Sequence, residues 1–534
     1  MIDPDLSIPR QRPLLELTKH FAYLAAASLA LLVVSTLLND TPLTVFVHPL
    51  QWLDSLDLAA TLEMLANAAE VVAAVLAIAT TVVAIVVELA ATRYSHEITG
   101  IFLREPVNRV VLGLFVLTTV QCVWVGAVLT EPGPHALVPQ AGFAITLGLV
   151  TVCLLLLVPY IYYVFTFLSP ISIIERISRD AYRHVIAVRA DNIADRQRRV
   201  AEAVDELQDV ARSAIADGDR GIAMAAVNAL AGFVSEYLRA RNQLPKRWFE
   251  TTESVAADPD FVALSAETME EVRVEGIWLE RKIFRRFMSL MGQSAIQARD
   301  VAYLIGINSK RIAAEFGASN PALLELCLRA FNSYLRLTIT ANDTRSAYFL
   351  MDQYRLLAIQ MMIDGKAEIS VQIADYLKVY GQLGHSMGIP FLLESASYDV
   401  KTLVEQAYLD APEVIDDLLD CLLQLDTEIK EESEQDSLLG VRRSQIQVAT
   451  LLIEKGDEAR LQRVIDDLRG ERLSRLERLR VILETDDRSQ FPELMDRGVN
   501  FAYLIPERRQ YLSVLFDRLR AAAPPAYETD PRAV

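Results

Sequence analysis

The stretch that decides the fold runs Glu63-Met-Leu-Ala-Asn67-Ala-Ala-Glu70 and then Val71-Val-Ala-Ala-Val-Leu-Ala-Ile-Ala-Thr80-Thr81-Val-Val-Ala-Ile-Val-Val87-Glu88. Nothing between Glu70 and Glu88 is charged. A helix rising 1.5 Å per residue needs roughly 20 apolar residues to cross about 30 Å of hydrocarbon, so residues 71–91 read as a membrane span. Three further runs of this kind precede residue 170, at about 21–38, 110–129 and 141–168. The first is long for the apolar part of a secretory leader. It is followed by Asn39-Asp40-Thr41-Pro42 and not by a small-residue cleavage site, so it reads as a retained span.

Composition agrees. The chain has 534 residues, 52% of them hydrophobic, and its mean hydropathy is +0.24. Soluble domains rarely average above zero, which places part of the chain in lipid. With 52 Lys and Arg against 70 Asp and Glu the formal net charge is -18, which excludes nucleic acid as the partner, since binding a polyanion needs a basic surface. Cys122, Cys153, Cys327 and Cys421 are too far apart for a disulfide framework or a paired-cysteine metal knuckle and read as small apolar residues.

Basic residues near span ends stay in the cytoplasm. Arg10, Arg12 and Lys19 precede the first span, Arg93, Arg104 and Arg109 lie between the second and third, and Arg176, Arg179 and Arg183 follow the fourth. The other two loops, 39–70 and 130–140, carry neither Lys nor Arg. Both termini are therefore expected in the cytoplasm, behind an inner membrane. Tyr160, Tyr162 and Tyr163 suit an aromatic belt at the inner interface, and Pro159 is a kink position in the last span.

The second span carries a pattern. At 100° per residue from Glu63, Asn67 falls near 40°, Glu70 near -20°, Thr81 near 0° and Glu88 near -20°. Carboxylates, an amide and a threonine share one stripe on a helix otherwise built of Val, Leu, Ile and Ala. Charges in low dielectric are tolerated where water or a counter-ion replaces lost hydration, so Glu63, Asn67, Glu70, Thr81 and Glu88 are candidates for lining a cation or proton pathway. The plain alternative puts Glu70 and Glu88 at the two interfaces, with Glu63 and Asn67 on an extension outside. Ala69, Ala73 and Ala77 have the spacing of a close helix contact. Thr118 and Gln121, one turn apart in the third span, read as interhelical hydrogen-bonding groups ahead of a pore lining.

After the second span come Glu88-Leu-Ala-Ala-Thr-Arg-Tyr-Ser95, His96-Glu97-Ile-Thr-Gly-Ile-Phe-Leu-Arg104 and Val107-Asn-Arg-Val-Val-Leu-Gly-Leu114. Over about residues 70–170 this resembles a large uncharacterised bacterial family of predicted four-span inner-membrane proteins. In that family a span ends in a small-residue, Ser-rich segment, a short basic loop follows, and the next span opens with a Leu-Gly element. The resemblance implies an inner-membrane protein and carries no activity, cofactor or site residue with it.

From 171 to about 520 the pattern is helical throughout, with no alternating β-branched runs. Helices are expected at 171–191, 200–216, 220–241, 269–291, 295–313, 321–340, 345–363, 370–386 and 392–408, with shorter ones after. Breakers such as Asp217-Gly218, Gly365, Gly388-Ile-Pro390 and Ala411-Pro412 separate them. The expected fold is all-α: a cytoplasmic tail over 1–20, a four-helix transmembrane domain over 21–170, a large cytoplasmic helical domain over 171–520, and a disordered tail over 521–534. An irregular α-solenoid is the expected form of the helical domain, with a helical bundle as the alternative.

The sequence holds no phosphate-binding or dinucleotide-binding glycine loop, no H-E-x-x-H and no nucleophile elbow, and no His pair stands at metal-ligand spacing. No catalytic residue, metal or cofactor is expected, and the chain is not read as an enzyme. Between 410 and 436 eleven acidic residues face the single Lys430, which reads as a solvated acidic face, with Ca²⁺ or a basic partner as the less favoured occupant. Two functions remain. The first is an oligomeric channel or transporter whose second span lines the pathway while the helical domain gates or senses. The second is a membrane-anchored, non-enzymatic scaffold or sensor that recruits cytoplasmic protein partners. Both have the lipid bilayer as a partner, and the first requires a homo-oligomer.

Overall fold

The computed structural model describes residues 26, 30, 33–34, 58–93, 102, 105–129, 140–188, 192–426, 438–489 and 497–522. The chain divides into two compact units, Met1–Ile173 and Ile174–Val534. Among the described residues both are helical and neither contains a β-strand. Most of the expected span 21–38, the tail 1–20, the loop around His96, the acidic residues at 427–437 and nearly all of 521–534 lie outside the described residues.

In the first unit α1 is Leu58–Arg93, α2 is Pro106–Leu129 and α3 is Gln140–Phe167. α1 packs on α2 and α3, and α2 packs on α3. Leu65, Val125 and Phe143, one from each helix, form a buried apolar cluster. α1 begins well before residue 71: the polar residues 63–70 belong to the same helix, because Leu, Ala and Glu sustain it without a breaker. Pro159 lies inside α3, which continues through it. All three helices are long and apolar enough to cross a membrane.

A fourth helix meets the same criterion, Arg220–Gln243, but it belongs to the helical unit and more than half of its apolar window is buried in protein. It shows why apolarity alone does not define a span. Its exposed Asn228 accepts a hydrogen bond at 3.1 Å from the buried Asn308 of a neighbouring helix.

The helical unit contains α4 (Pro170–Ile186, which spans the division between units), α5 (Ile193–Ala216), α6 (Arg220–Ala240), the short α7 (Glu253–Ala256), α8 (Pro259–Val262) and α9 (Ala266–Glu275). Then come α10 (Trp278–Gln297), α11 (Arg299–Phe316), α12 (Pro321–Thr340), α13 (Thr344–Ile363), α14 (Ala367–Ser386) and α15 (Pro390–Asp410). It closes with α16 (Ile415–Leu423), α17 (Leu439–Lys455), α18 (Glu458–Leu468), α19 (Leu473–Thr485) and α20 (Pro506–Ala522). Packing follows chain order. α5, α10, α12, α14, α16 and α18 each touch the next in that series; α6, α11, α13, α15, α17 and α20 do the same, and hairpin partners join the two series. Two series of helices thus pack in chain order and are joined as hairpins, the long helices burying a stripe against their sequence neighbours.

Boundaries follow local chemistry. Asn320 caps α12 by accepting the Leu323 N–H at 3.2 Å, with Pro321 in the first turn. The expected single helix 269–291 is instead two, α9 and α10, broken at Gly276. That residue sits at φ 63°, and a Cβ there would lie 2.9 Å from Phe249 Cβ, so neither a continuing helix nor a side chain fits.

Candidate functional site

Every candidate of the α1 stripe is exposed: Glu63, Asn67, Glu70, Thr81 and Glu88. The buried residues of the same helix are Thr61, Leu65, Val72, Val87 and Ala90. At 100° per residue they centre about 180° from Glu63, so the stripe lies on the side of α1 opposite the one that packs on α2 and α3. Ala73 and Ala77 are also exposed, so their close-contact spacing is not used against α2 or α3. Eighteen residues of rise put Glu70 and Glu88 about 27 Å apart, close to the thickness of the hydrocarbon. Between them the stripe holds Thr81, whose hydroxyl donates to the Ala77 carbonyl at 2.8 Å. The arrangement is two levels of carboxylate separated by a face of small and apolar residues.

The interior of this unit is more polar than its sequence suggests. On α3, Thr146, Cys153 and Tyr160 are buried and stand seven residues apart, which puts them on one ridge. Thr118 of α2 meets Cys153 across the helix interface, Oγ1 to Sγ 3.2 Å. The Thr118 hydroxyl also donates to the Leu114 carbonyl at 2.8 Å, which leaves the thiol as donor in the contact with Cys153. Gln121, 0% exposed, behaves differently: neither its Oε1 nor its Nε2 has a hydrogen-bonding partner. Asn108 donates to the Phe102 carbonyl at 2.7 Å while its Oδ1 has no partner, and the buried Tyr160 hydroxyl has none. Tyr162 is 74% exposed and Tyr160 is 4% exposed, so the tyrosine cluster splits between an outer and an inner face. Asn108, Cys153 and Tyr160 were not singled out as site residues from sequence; the seven-residue spacing of Thr146, Cys153 and Tyr160 within an apolar run was the available signal.

The helical unit holds its buried charges in ionic centres. Lys282 is fully buried and contacts Asp205 at 2.8 Å, Asp258 at 2.8 Å and Asp260 at 2.9 Å, and Arg286 reaches Asp205 and Asp260 as well. Burial pulls the ammonium pKa down, but the facing carboxylates outweigh it and the net shift is upward. Arg497 grips the fully buried Asp399 at 2.8 and 3.0 Å and donates to the Tyr348 carbonyl at 2.8 Å. Glu280 is buried against Arg241, and burial pushes its carboxyl up to about 7. Of the expected acidic face, Asp416 pairs with Arg460 at 2.6 Å and with Arg463 at 2.9 Å, and Asp420 pairs with Arg463. These carboxylates are exposed yet partnered. Cys122, Cys153, Cys327 and Cys421 are buried free thiols. Among the described residues no group of three or more His, Cys, Asp or Glu is disposed to hold a metal ion.

Residues 19–236 match a family described as a predicted membrane protein (DUF2254), a family of unknown function. The match is broader than the 70–170 resemblance, taking in the whole membrane unit from residue 19 and reaching through α5 into the last turn of α6, and it covers less than half of the chain. No curated protein and no solved structure matches this chain.

Proposed function

We propose that this integral membrane protein is a non-enzymatic ion-conducting or transport protein, active as a homo-oligomer in a bacterial inner membrane with both termini cytoplasmic. One observation carries the reading: Glu63, Glu70 and Glu88 lie on an exposed face of α1, opposite the face it packs with. Glu70 and Glu88, about 27 Å apart along that face, stand at the two ends of the span, where the mouths of a pathway would carry fixed negative charge. Copies arranged with these faces toward a common axis would ring the two ends of a conduit with negative charge and leave the Ala-rich and Thr81 level between them as a narrow apolar constriction. The helical unit gates it or senses a cytoplasmic signal. The basic residues flanking the spans support the orientation.

The test is flux. Full-length protein in liposomes is compared with Glu70→Gln and Glu88→Gln under K⁺, Na⁺ and H⁺ gradients. Flux that drops several-fold in either variant is expected. Absence of flux under every gradient from inserted, folded protein overturns the reading. It would then favour the scaffold, whose supporting observation is the hairpin stack that makes up most of the chain, because stacked hairpins offer extended faces to protein partners.

A further inference from the structure

The contacts between α2 and α3 fix an antiparallel register: Val125 clusters with Phe143, Thr118 meets Cys153, and Phe102, just before α2, packs edge-on against Phe167 with ring centroids 5.5 Å apart. Extending that register sets Asn108 level with Tyr160. The inner ridge of α3 therefore faces three polar levels of α2: Asn108 opposite Tyr160, Thr118 opposite Cys153, and Gln121 one turn beyond Thr118. Thr118 is close to the midpoint of the 24-residue α2, so the last two levels lie deep in the span.

These levels share a chemical problem. Gln121 brings two N–H donors and a carbonyl acceptor and uses none of them; Asn108 Oδ1 and the Tyr160 hydroxyl are equally unmatched, and all three side chains are more than nine-tenths buried. At the depth of Gln121 water in the hydrocarbon is too scarce to hydrate the amide from outside, and leaving it unsatisfied costs several kcal/mol; Asn108 and Tyr160, nearer the end of the span, are cut off from outside water by burial. Leucine would fill the Gln121 position without that penalty. Groups of this kind, clustered so that one water can touch two or more of them, are what holds buried water in proteins.

We propose that the α2–α3 interior is a water-binding site, in which bound water completes the hydrogen bonding of Gln121 beside the Thr118–Cys153 contact and of Asn108 with Tyr160. The ligand is water itself, held by neutral donors and acceptors. The site is intramolecular and on the opposite side of the unit from the α1 stripe, so it stands or falls separately from the proposed conduit.

Cys153 is a native reporter. Its S–H stretch falls in an otherwise empty window of the infrared spectrum, and a thiol beside bound water exchanges its proton for deuterium as that water exchanges with bulk. A thiol in a dry core exchanges only when the fold opens. Full-length protein in nanodiscs is transferred to D₂O and the S–H band followed, with Cys153→Ala identifying the Cys153 component and the fully buried Cys327 of the helical unit serving as the dry reference. The expected result is a Cys153 component lost at least tenfold faster than that of Cys327, and slowed at least tenfold by Gln121→Leu. A Cys153 component exchanging as slowly as Cys327 overturns the site. Fast exchange unchanged in Gln121→Leu overturns the assignment of water to Gln121. The wild-type comparison decides the first point even where the leucine variant does not fold.

Discussion

The two units differ in the charges they bury. In the helical unit the buried charges Asp260, Glu280, Lys282, Asp343, Asp399, Lys401 and Asp426 each face an opposite charge within salt-bridge distance. Among the described residues of the membrane unit the buried polar groups are neutral, and neither side-chain polar atom of Gln121 has a hydrogen-bonding partner. Two helical glycines show a local contrast as well. Gly381 of α14 lies so close to α15 that a Cβ would come within 2.6 Å of Ala396 Cβ, whereas a Cβ on Gly148 of α3 would meet nothing within 4 Å. An apolar groove of about 270 Å³, lined by Val75, Ile78, Val82 and Val86 of α1 and Ile161 and Phe165 of α3, runs along the membrane unit. The helical unit is specified by its own interior. The membrane helices leave part of their specification to what surrounds them, as expected where lipid removes the hydrophobic drive between helices.

The comparison is hardest to sustain if the ionic centres contribute nothing, so the largest effect is predicted there. Lys282→Met keeps the apolar stem and removes the ammonium from among Asp205, Asp258 and Asp260. Stranding buried carboxylates in this way should cost about 3–5 kcal/mol. The edge-to-face pair Trp248 and Trp278 lies in the same unit and makes urea unfolding visible by fluorescence. An unchanged midpoint would mean that Arg285 and Arg286 suffice and that the closed centre is incidental.

Next is a dependence on pH. Glu280 is raised by burial from 4.5 to about 7. Between those values the folded chain holds a proton that the unfolded chain has released, so stability falls as pH rises, by up to about 3 kcal/mol once pH exceeds 7. Asp467, pushed up to about 6 by burial and by neighbouring Asp426, acts with the same sign. Exposed carboxylates held down by arginine, such as Asp195 and Asp416, act in the opposite sense below this window. Urea midpoints should therefore drop from pH 5 to pH 8, and the slope should flatten in Glu280→Gln. An equal slope in that variant would assign the proton elsewhere.

Gly381→Ala comes third, because two helix backbones must part to admit the methyl group. A loss of about 1–3 kcal/mol is expected, with recovery in the double variant Gly381→Ala, Ala396→Gly. Failure of the second glycine to rescue would mean that the contact is not what sets the spacing.

What the sequence made legible follows the same division. Apolar run length found the three described membrane helices, and α12 was placed to the residue, since Asn320, Pro321 and the apolar stripe all act locally. Periodicity also showed that Glu63, Asn67, Glu70, Thr81 and Glu88 share a face. It did not show which way that face turns, because orientation depends on where Leu65 and Val72 find their partners. The break at Gly276 was hidden for a similar reason: Phe249, far along the chain, makes it necessary. Asp416 and Asp420 read as a solvated face because the arginines that pair with them lie more than 40 residues downstream. Thr118 could be read as an interhelical group from its depth; that Gln121 would stay unpaired could not, since satisfaction is a property of neighbours.

The smallest effect carries the most information about assembly. Gly148 lies inside α3, exposed in the single chain, with open space where a Cβ would stand. Alanine is favoured over glycine in a helix by about 1 kcal/mol in water, and no neighbour opposes it here, so Gly148→Ala in nanodiscs should leave the melting temperature unchanged or raise it slightly. The contrast with Gly381→Ala would then hold as drawn, with one glycine required by packing and the other free of it. A loss of stability comparable to that of Gly381→Ala would mean that another surface approaches α3 at this level in the assembled protein. Subunits would then meet on the α3 side, and an axis lined by the Glu70 and Glu88 face of α1 would have to be reconsidered.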